Sequence, residues 1–93
     1  MVAKPMTYGE LITSLRTDAN LTQSELAVQM KCHRQQINSV EQGKRTLSVE
    51  LESTLVTTLK LSAAMIDYLC YLKGLYEADK RRAWYRSHYG ENS

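Results

Sequence analysis

Two short Thr-x-x-Glu stretches, Thr7-Tyr8-Gly9-Glu10 and Thr22-Gln23-Ser24-Glu25, constrain this chain more than any other feature. In each, the threonine hydroxyl can accept from the backbone N–H three residues on, while the glutamate reaches back to the threonine N–H. Two donors that a helix start leaves open are thereby satisfied. Apolar residues at helical spacing follow both, Leu11, Ile12 and Leu15 after the first and Leu26, Ala27 and Met30 after the second. The pattern predicts one helix from Tyr8 to Ala19, capped by Asn20, and a short second helix from Gln23 to Met30. Lys31-Cys32-His33 interrupts the period, Ile37 and Val40 resume it, and Gly43 suits a left-handed stop, which predicts a third helix from Arg34 to Gln42. Ser48 begins a fourth, with Glu50 in its first turn, Leu51, Leu55 and Leu59 on one face, and Leu61 closing the core. Ser62 caps a long final helix that carries the stripe Met65, Ile66, Leu69, Leu72, Leu75 and Tyr76 and extends to about Tyr85. From Ser87 to Ser93 the chain is aperiodic and is expected to fray.

Composition agrees with that reading. The 93 residues include no Phe, one Pro and four Gly, so strand-type aromatics and helix breakers are both scarce and an all-α class follows. A chain of this size supports one core. Lys4, Pro5 and Thr7 interrupt the N-terminal stretch, so no signal peptide or membrane span is expected there and the chain reads as soluble, unprocessed and free of membrane contact. Cys32 and Cys70 form no Cys-x-x-Cys pair and read as free thiols of a reducing cytosol. Cys32 and His33 adjoin, but Cys70 and His88 stand at no ligand-like spacing, so no metal and no cofactor is expected. Without a phosphate loop, a pair of carboxylates in an evident cleft or a cysteine with a positioned histidine, the chain is not expected to be an enzyme.

The net charge of +2 says little about partners, but its distribution says more. From Lys31 to Arg45 the chain carries Lys31, Arg34, Lys44 and Arg45 against Glu41 alone. Two short helices joined by a three-residue turn, the second opening on long polar side chains, have the shape that enters a DNA major groove. With Ile37 and Val40 packed inward, Arg34, Gln35, Gln36, Asn38 and Ser39 remain outward. Arg can grip guanine O6 and N7, and Gln or Asn can pair with adenine N6 and N7. The bland alternatives are a solvated helix face for these residues and a charged loop for Lys44 and Arg45.

The runs Leu21-Thr-Gln-Ser-Glu-Leu-Ala27, Ile37-Asn-Ser-Val-Glu-Gln-Gly-Lys-Arg45 and Leu47-Ser48 resemble the Xre/Cro-type helix-turn-helix family of phage repressors over about Thr7 to Ser62. The resemblance implies a five-helix, lambda-repressor-like fold with a long C-terminal helix. It implies a pair between Arg16 and Glu41 that fixes the reading helix, phosphate contacts from Thr22 and Gln23, and backbone contacts from Lys44 and Arg45. Three residues depart from the family: Lys31 stands in place of the usual Gly, Cys32 in place of an aliphatic residue, and His33 in place of a Ser or Thr cap. A non-Gly residue in the left-handed region costs roughly 1–2 kcal/mol, and His33 becomes a further candidate for DNA contact.

Two units are expected, a DNA-binding domain over residues 1–62 and a dimerisation extension with a frayed tail over residues 63–93. The stripe Met65, Ile66, Leu69, Leu72, Leu75 and Tyr76 reads either as the dimer seam or as cover for the domain's own core. Arg81, Arg82 and Arg86 at a helix end offset the helix dipole, with DNA contact secondary. The reading as a whole is a dimeric transcriptional repressor of a phage or mobile-element operon on a near-palindromic, double-stranded operator, in a bacterial or phage-infected cytoplasm at the nucleoid. The alternative is an antitoxin-type module whose C-terminal helix binds an unidentified partner protein.

Overall fold

The computed structural model describes residues 6–89. Five helices follow one another: α1 (Tyr8–Asp18), α2 (Gln23–Met30), α3 (Arg34–Glu41), α4 (Val49–Leu59) and α5 (Ala63–Tyr89). The chain is all-α, with a long C-terminal helix.

Helix starts lie where the sequence supplies a cap. Thr7 Oγ1 accepts from Glu10 N–H at 3.1 Å while Glu10 Oε1 accepts from Thr7 N–H at 2.9 Å. Thr22 and Glu25 do the same at 3.1 and 2.8 Å, and Ser48 accepts from Leu51 N–H at 3.2 Å. α3 opens differently, since Gln36 Oε1 accepts from the His33 N–H at 3.0 Å. The stops use the left-handed region at Asn20 (φ 60°), Lys31 (φ 57°), Gly43 (φ 81°) and Lys60 (φ 53°). Gly43 adopts this conformation without strain, whereas Lys31 and Lys60 carry a side-chain penalty of about 1–2 kcal/mol each.

Tyr8, Leu11 and Ile12 of α1, Leu26, Ala27 and Met30 of α2, Ile37 and Val40 of α3, Leu47, and Leu55 of α4 make one core. Leu69 and Leu72 of α5 complete it at 1% and 2% exposure, and α5 packs on α1. The expected boundary after Ser62 therefore runs through a shared core, because the first turns of α5 supply side chains that α1 needs. Beyond them α5 continues to Tyr89, past the expected end near Tyr85, so residues 87–89 are helical; residues 90–93 and 1–5 lie outside the described part. Gly74 does not interrupt α5, because one glycine in a long helix costs only about 1 kcal/mol.

Gly9 has a packing reason that the sequence alone does not reveal. A Cβ at this position would lie 2.6 Å from the Val40 carbonyl oxygen and 2.8 Å from that of Glu41. The start of α1 thus touches the end of α3 backbone to backbone. Replacing Gly9→Ala forces those helices apart and is expected to cost about 1–3 kcal/mol. A lowered urea midpoint at unchanged slope is the readout, and an unchanged midpoint would mean that the contact can relax.

Candidate nucleic-acid interface

The site grows from the junction where α1, α2 and the end of α3 meet. Arg16 Nε donates to Glu41 Oε2 at 2.6 Å and Arg16 Nη2 to Glu41 Oε1 at 3.1 Å, a two-pronged pair whose side chains are 14% and 7% exposed. The third guanidinium nitrogen, Nη1, donates to the Leu21 carbonyl at 2.8 Å and so holds the turn into α2. Burial by itself raises the Glu41 carboxyl, but hydrogen bonds from Arg16 and Gln23, together with the Arg16 charge, outweigh it and hold that carboxyl below its ordinary value of 4.5.

Gln23 extends this junction along α3 to Arg34. Its Nε2 donates to Glu41 Oε1 at 2.9 Å and to Asn38 Oδ1 at 3.4 Å, and its Oε1 accepts from Arg34 Nη1 at 3.2 Å. The side chain of Gln23 therefore lies on α3, and an anion at α2 would meet backbone N–H groups of the first helical turn, with the helix dipole behind them. Thr22 is the N-cap of that helix. An open depression of about 510 Å³ runs past Arg16, Thr22, Gln23, Ser24 and Arg34.

The residues expected to read bases differ in their freedom. Arg34, Gln35 and His33 are exposed at the start of α3. Gln36 is half-buried with its amide oxygen turned back onto His33, and Asn38 is half-buried with Oδ1 accepting from both Gln23 and Gln42. Ser39 is half-buried, and its carbonyl accepts from Lys44 N–H at 3.0 Å. Lys44 and Arg45 are exposed directly after α3. Cys32 packs partly against the core, where burial pushes its thiol up, and Cys70 is exposed. Among the described residues no three His, Cys, Asp or Glu side chains converge as a metal site would require, and no helix is long and apolar enough to cross a membrane.

The stripe assigned to a dimer seam divides. Leu69 and Leu72 are buried in the chain's own core and Met65 packs against it, which takes these three out of any outer seam. Their i, i+4, i+7 spacing is the face that α5 turns to α1. Ile66 and Tyr76 are half-buried, and only Leu75 of the six is exposed, at 41%. The large apolar side chains that α5 leaves exposed are Tyr68, Tyr71 and Leu75, with the two tyrosine rings stacked at 6.5 Å, and farther along Trp84 and Tyr85. Period alone could not separate the two faces, since both have helical spacing.

A family model described as a helix-turn-helix domain matches residues 7–69, more than half of the chain. No curated protein matches it. The matched span takes in the Arg16–Glu41 junction, the α2–α3 pair and the start of α5 as far as Leu69.

Because the Glu41 carboxyl is held low, its contribution to stability is present above pH 4.5 and is lost as pH falls through the depressed folded-state value. Glu41→Gln leaves Arg16 half-buried against a neutral partner and is expected to cost about 2–4 kcal/mol at pH 7. Urea unfolding at a series of pH values should show the gap to wild type closing as the solution is acidified below 4.5. A gap independent of pH would exclude the charge as its origin.

Proposed function

The chain belongs to the helix-turn-helix domain family, as a DNA-binding regulator, and on that premise we propose that it is a sequence-specific dimeric repressor. Its target is a near-palindromic operator of a phage or mobile-element operon. In this reading α3 lies in the major groove with Arg34 and Gln35 at the base edges, because the N-terminal residues of a recognition helix reach deepest. His33 and Ser39 flank them. Gln36 and Asn38 act mainly by holding the shape of α3, since their amide oxygens are already engaged. Phosphate contacts come from the first turn of α2 at Thr22 and Gln23 and from Lys44 and Arg45.

One observation carries the reading. The end of α3 is bound tightly to α1 and α2 through Glu41, while its start presents exposed Arg34 and Gln35, and exposed Lys44 and Arg45 follow directly. Shape is held where it must be, and long polar groups are offered where bases and phosphates would lie.

Selection from a random DNA library supplies the operator for the test. Arg34→Ala or Gln35→Ala should then cost about 1–3 kcal/mol on the selected site and little on random DNA. Arg45→Ala should weaken both and shallow the salt dependence by roughly one unit. Equal losses of Arg34→Ala on the two DNAs would overturn base reading.

The dimer in this proposal uses the outer face of α5, Tyr68, Tyr71 and Leu75, and places two copies of α3 about 34 Å apart, one turn of DNA. Light scattering on the full chain should give the mass of two copies, and Leu75→Glu or Tyr71→Glu should reduce it to one without loss of helicity. A monomeric wild type, or a dimer indifferent to both changes, would overturn this seam.

A further inference from the structure

The basic segment after α3 is anchored from an unexpected direction. At its near end, Gly43 N–H donates to the Val40 carbonyl and Lys44 N–H to the Ser39 carbonyl, each at 3.0 Å, so this end belongs to α3. At its far end stands Leu47, two residues past Arg45 and only 2% exposed. Side chains from other helices meet both of its backbone polar groups. Leu47 N–H donates to Tyr8 Oη of α1 at 3.4 Å, and Lys73 Nζ of α5 donates to the Leu47 carbonyl at 2.8 Å.

Lys73 has a carboxylate within reach, yet it is aimed at the loop. Its Nζ lies 3.4 Å from Glu52 Oε1, farther than from the Leu47 oxygen, and the Lys73 side chain is 18% exposed. Glu52 Oε2 in turn accepts from Tyr8 Oη at 2.5 Å. Burial, then the bond to the Glu52 carboxylate, pushes the Tyr8 phenol up, so the hydroxyl stays a donor. Tyr8, Glu52 and Lys73 thus form a clasp from α1, α4 and α5 around Leu47. Arg45 and Thr46 are the only residues between Lys44 and this clasp. A positively charged donor on a carbonyl is stronger than a neutral one, and removing it strands a buried acceptor.

We propose that Lys73 is a positioning residue for DNA-backbone contact. It holds the far end of the Lys44–Arg45 segment, so the grip of that segment on phosphate depends on α5 being docked. This rests on the DNA-binding reading above and adds to it a coupling between the reading head and a helix outside the α2–α3 pair. A ligand or partner that shifts α5 would change DNA affinity through this bond without touching DNA.

Lys73→Met keeps the aliphatic stem and removes the donors. Against the selected operator, the full chain with this change should bind about tenfold more weakly. A double-mutant cycle separates positioning from packing. In the Lys73→Met background Arg45→Ala should cost several-fold less than in wild type, because Arg45 has already lost its placement. Arg34→Ala, on α3, should cost the same in both backgrounds. Hydrogen exchange on the free protein should show faster exchange at residues 45–48 and unchanged exchange in α3.

A cooperative thermal transition is required of each variant. Should Lys73→Met not fold, Lys73→Leu, which also removes the donor on a shorter stem, takes its place in the same cycle. Additivity of Lys73 with Arg45 to within about twofold, on a wild type that binds its operator, would overturn the positioning role alone. A wild type that selects no DNA would overturn the DNA-binding reading and this inference with it.

Discussion

The two-pronged bond between Arg16 and Glu41 is the constraint on which the rest of the structure depends. It joins the last turn of α1 to the last residue of α3, and each partner then bonds onward, Arg16 to the Leu21 carbonyl in the turn before α2 and Glu41 to the Gln23 amide of α2 itself. Taking two charges out of water is costly, and a half-buried pair adds little net stability over a well-packed apolar one. Its effect is on geometry: the planar guanidinium accepts only a narrow range of carboxylate orientations, so α3 is fixed in angle and in rotation about its axis. Gly9 works with it, because the backbone of α1 can close on the carbonyls of Val40 and Glu41 only where there is no Cβ. With that end clamped, the start of α3 is left exposed at Arg34 and Gln35.

Helix starts were legible in the sequence because a cap is a local bond among four consecutive residues. Thr7 with Glu10, Thr22 with Glu25, and Ser48 all begin helices at the positions their residue types predict. The start of α3 was also legible, although for a different reason: the apolar period resumes at Ile37, and Gln36 rather than a serine or threonine closes the turn. Stops were legible for α1 to α3, which end within a residue of the expected positions at Ala19, Met30 and Gln42. Lys31 takes the left-handed conformation at the position where the family has Gly, and only Lys60 does so with no signal in the sequence. The end of α5 was placed short because neither Gly nor Pro occurs between Gly74 and Gly90 to stop it, and aperiodicity on a helix that has left the core carries no information.

The site was legible in outline and not in detail, and the missing part is tertiary. The helical period shows which side chains face outward but not which of those are engaged by a neighbour. Gln23, Gln36 and Asn38 are all outward polar residues of groove-reading type, and each has an amide oxygen engaged within the protein. The α5 stripe fails for a related reason. One set, Met65, Leu69 and Leu72, joins the chain's own core, and another, Tyr68, Tyr71 and Leu75, stays exposed. Only the packing of the core tells them apart.

The partly buried polar side chains join in two separate networks. Arg16, Glu41, Gln23 and Asn38 join α1, α2 and α3, whereas Tyr8, Glu52, Lys73 and Leu47 join α1, α4 and α5. Among the described residues that are not exposed, no buried side-chain nitrogen or oxygen lacks a hydrogen-bond partner. α1 is the shared member, so any rearrangement of α5 that keeps α1 in place can act on the second network and leave the first intact. The segment after α3 lies between the two networks, its near end in the backbone of α3 and its far end in the clasp at Leu47. The end of α3 and the far end of the basic segment are thus held by different bonds within one small core. The half of α5 that extends beyond that core does not touch the anchor at Glu41, so the proposed coupling runs through Lys73 alone.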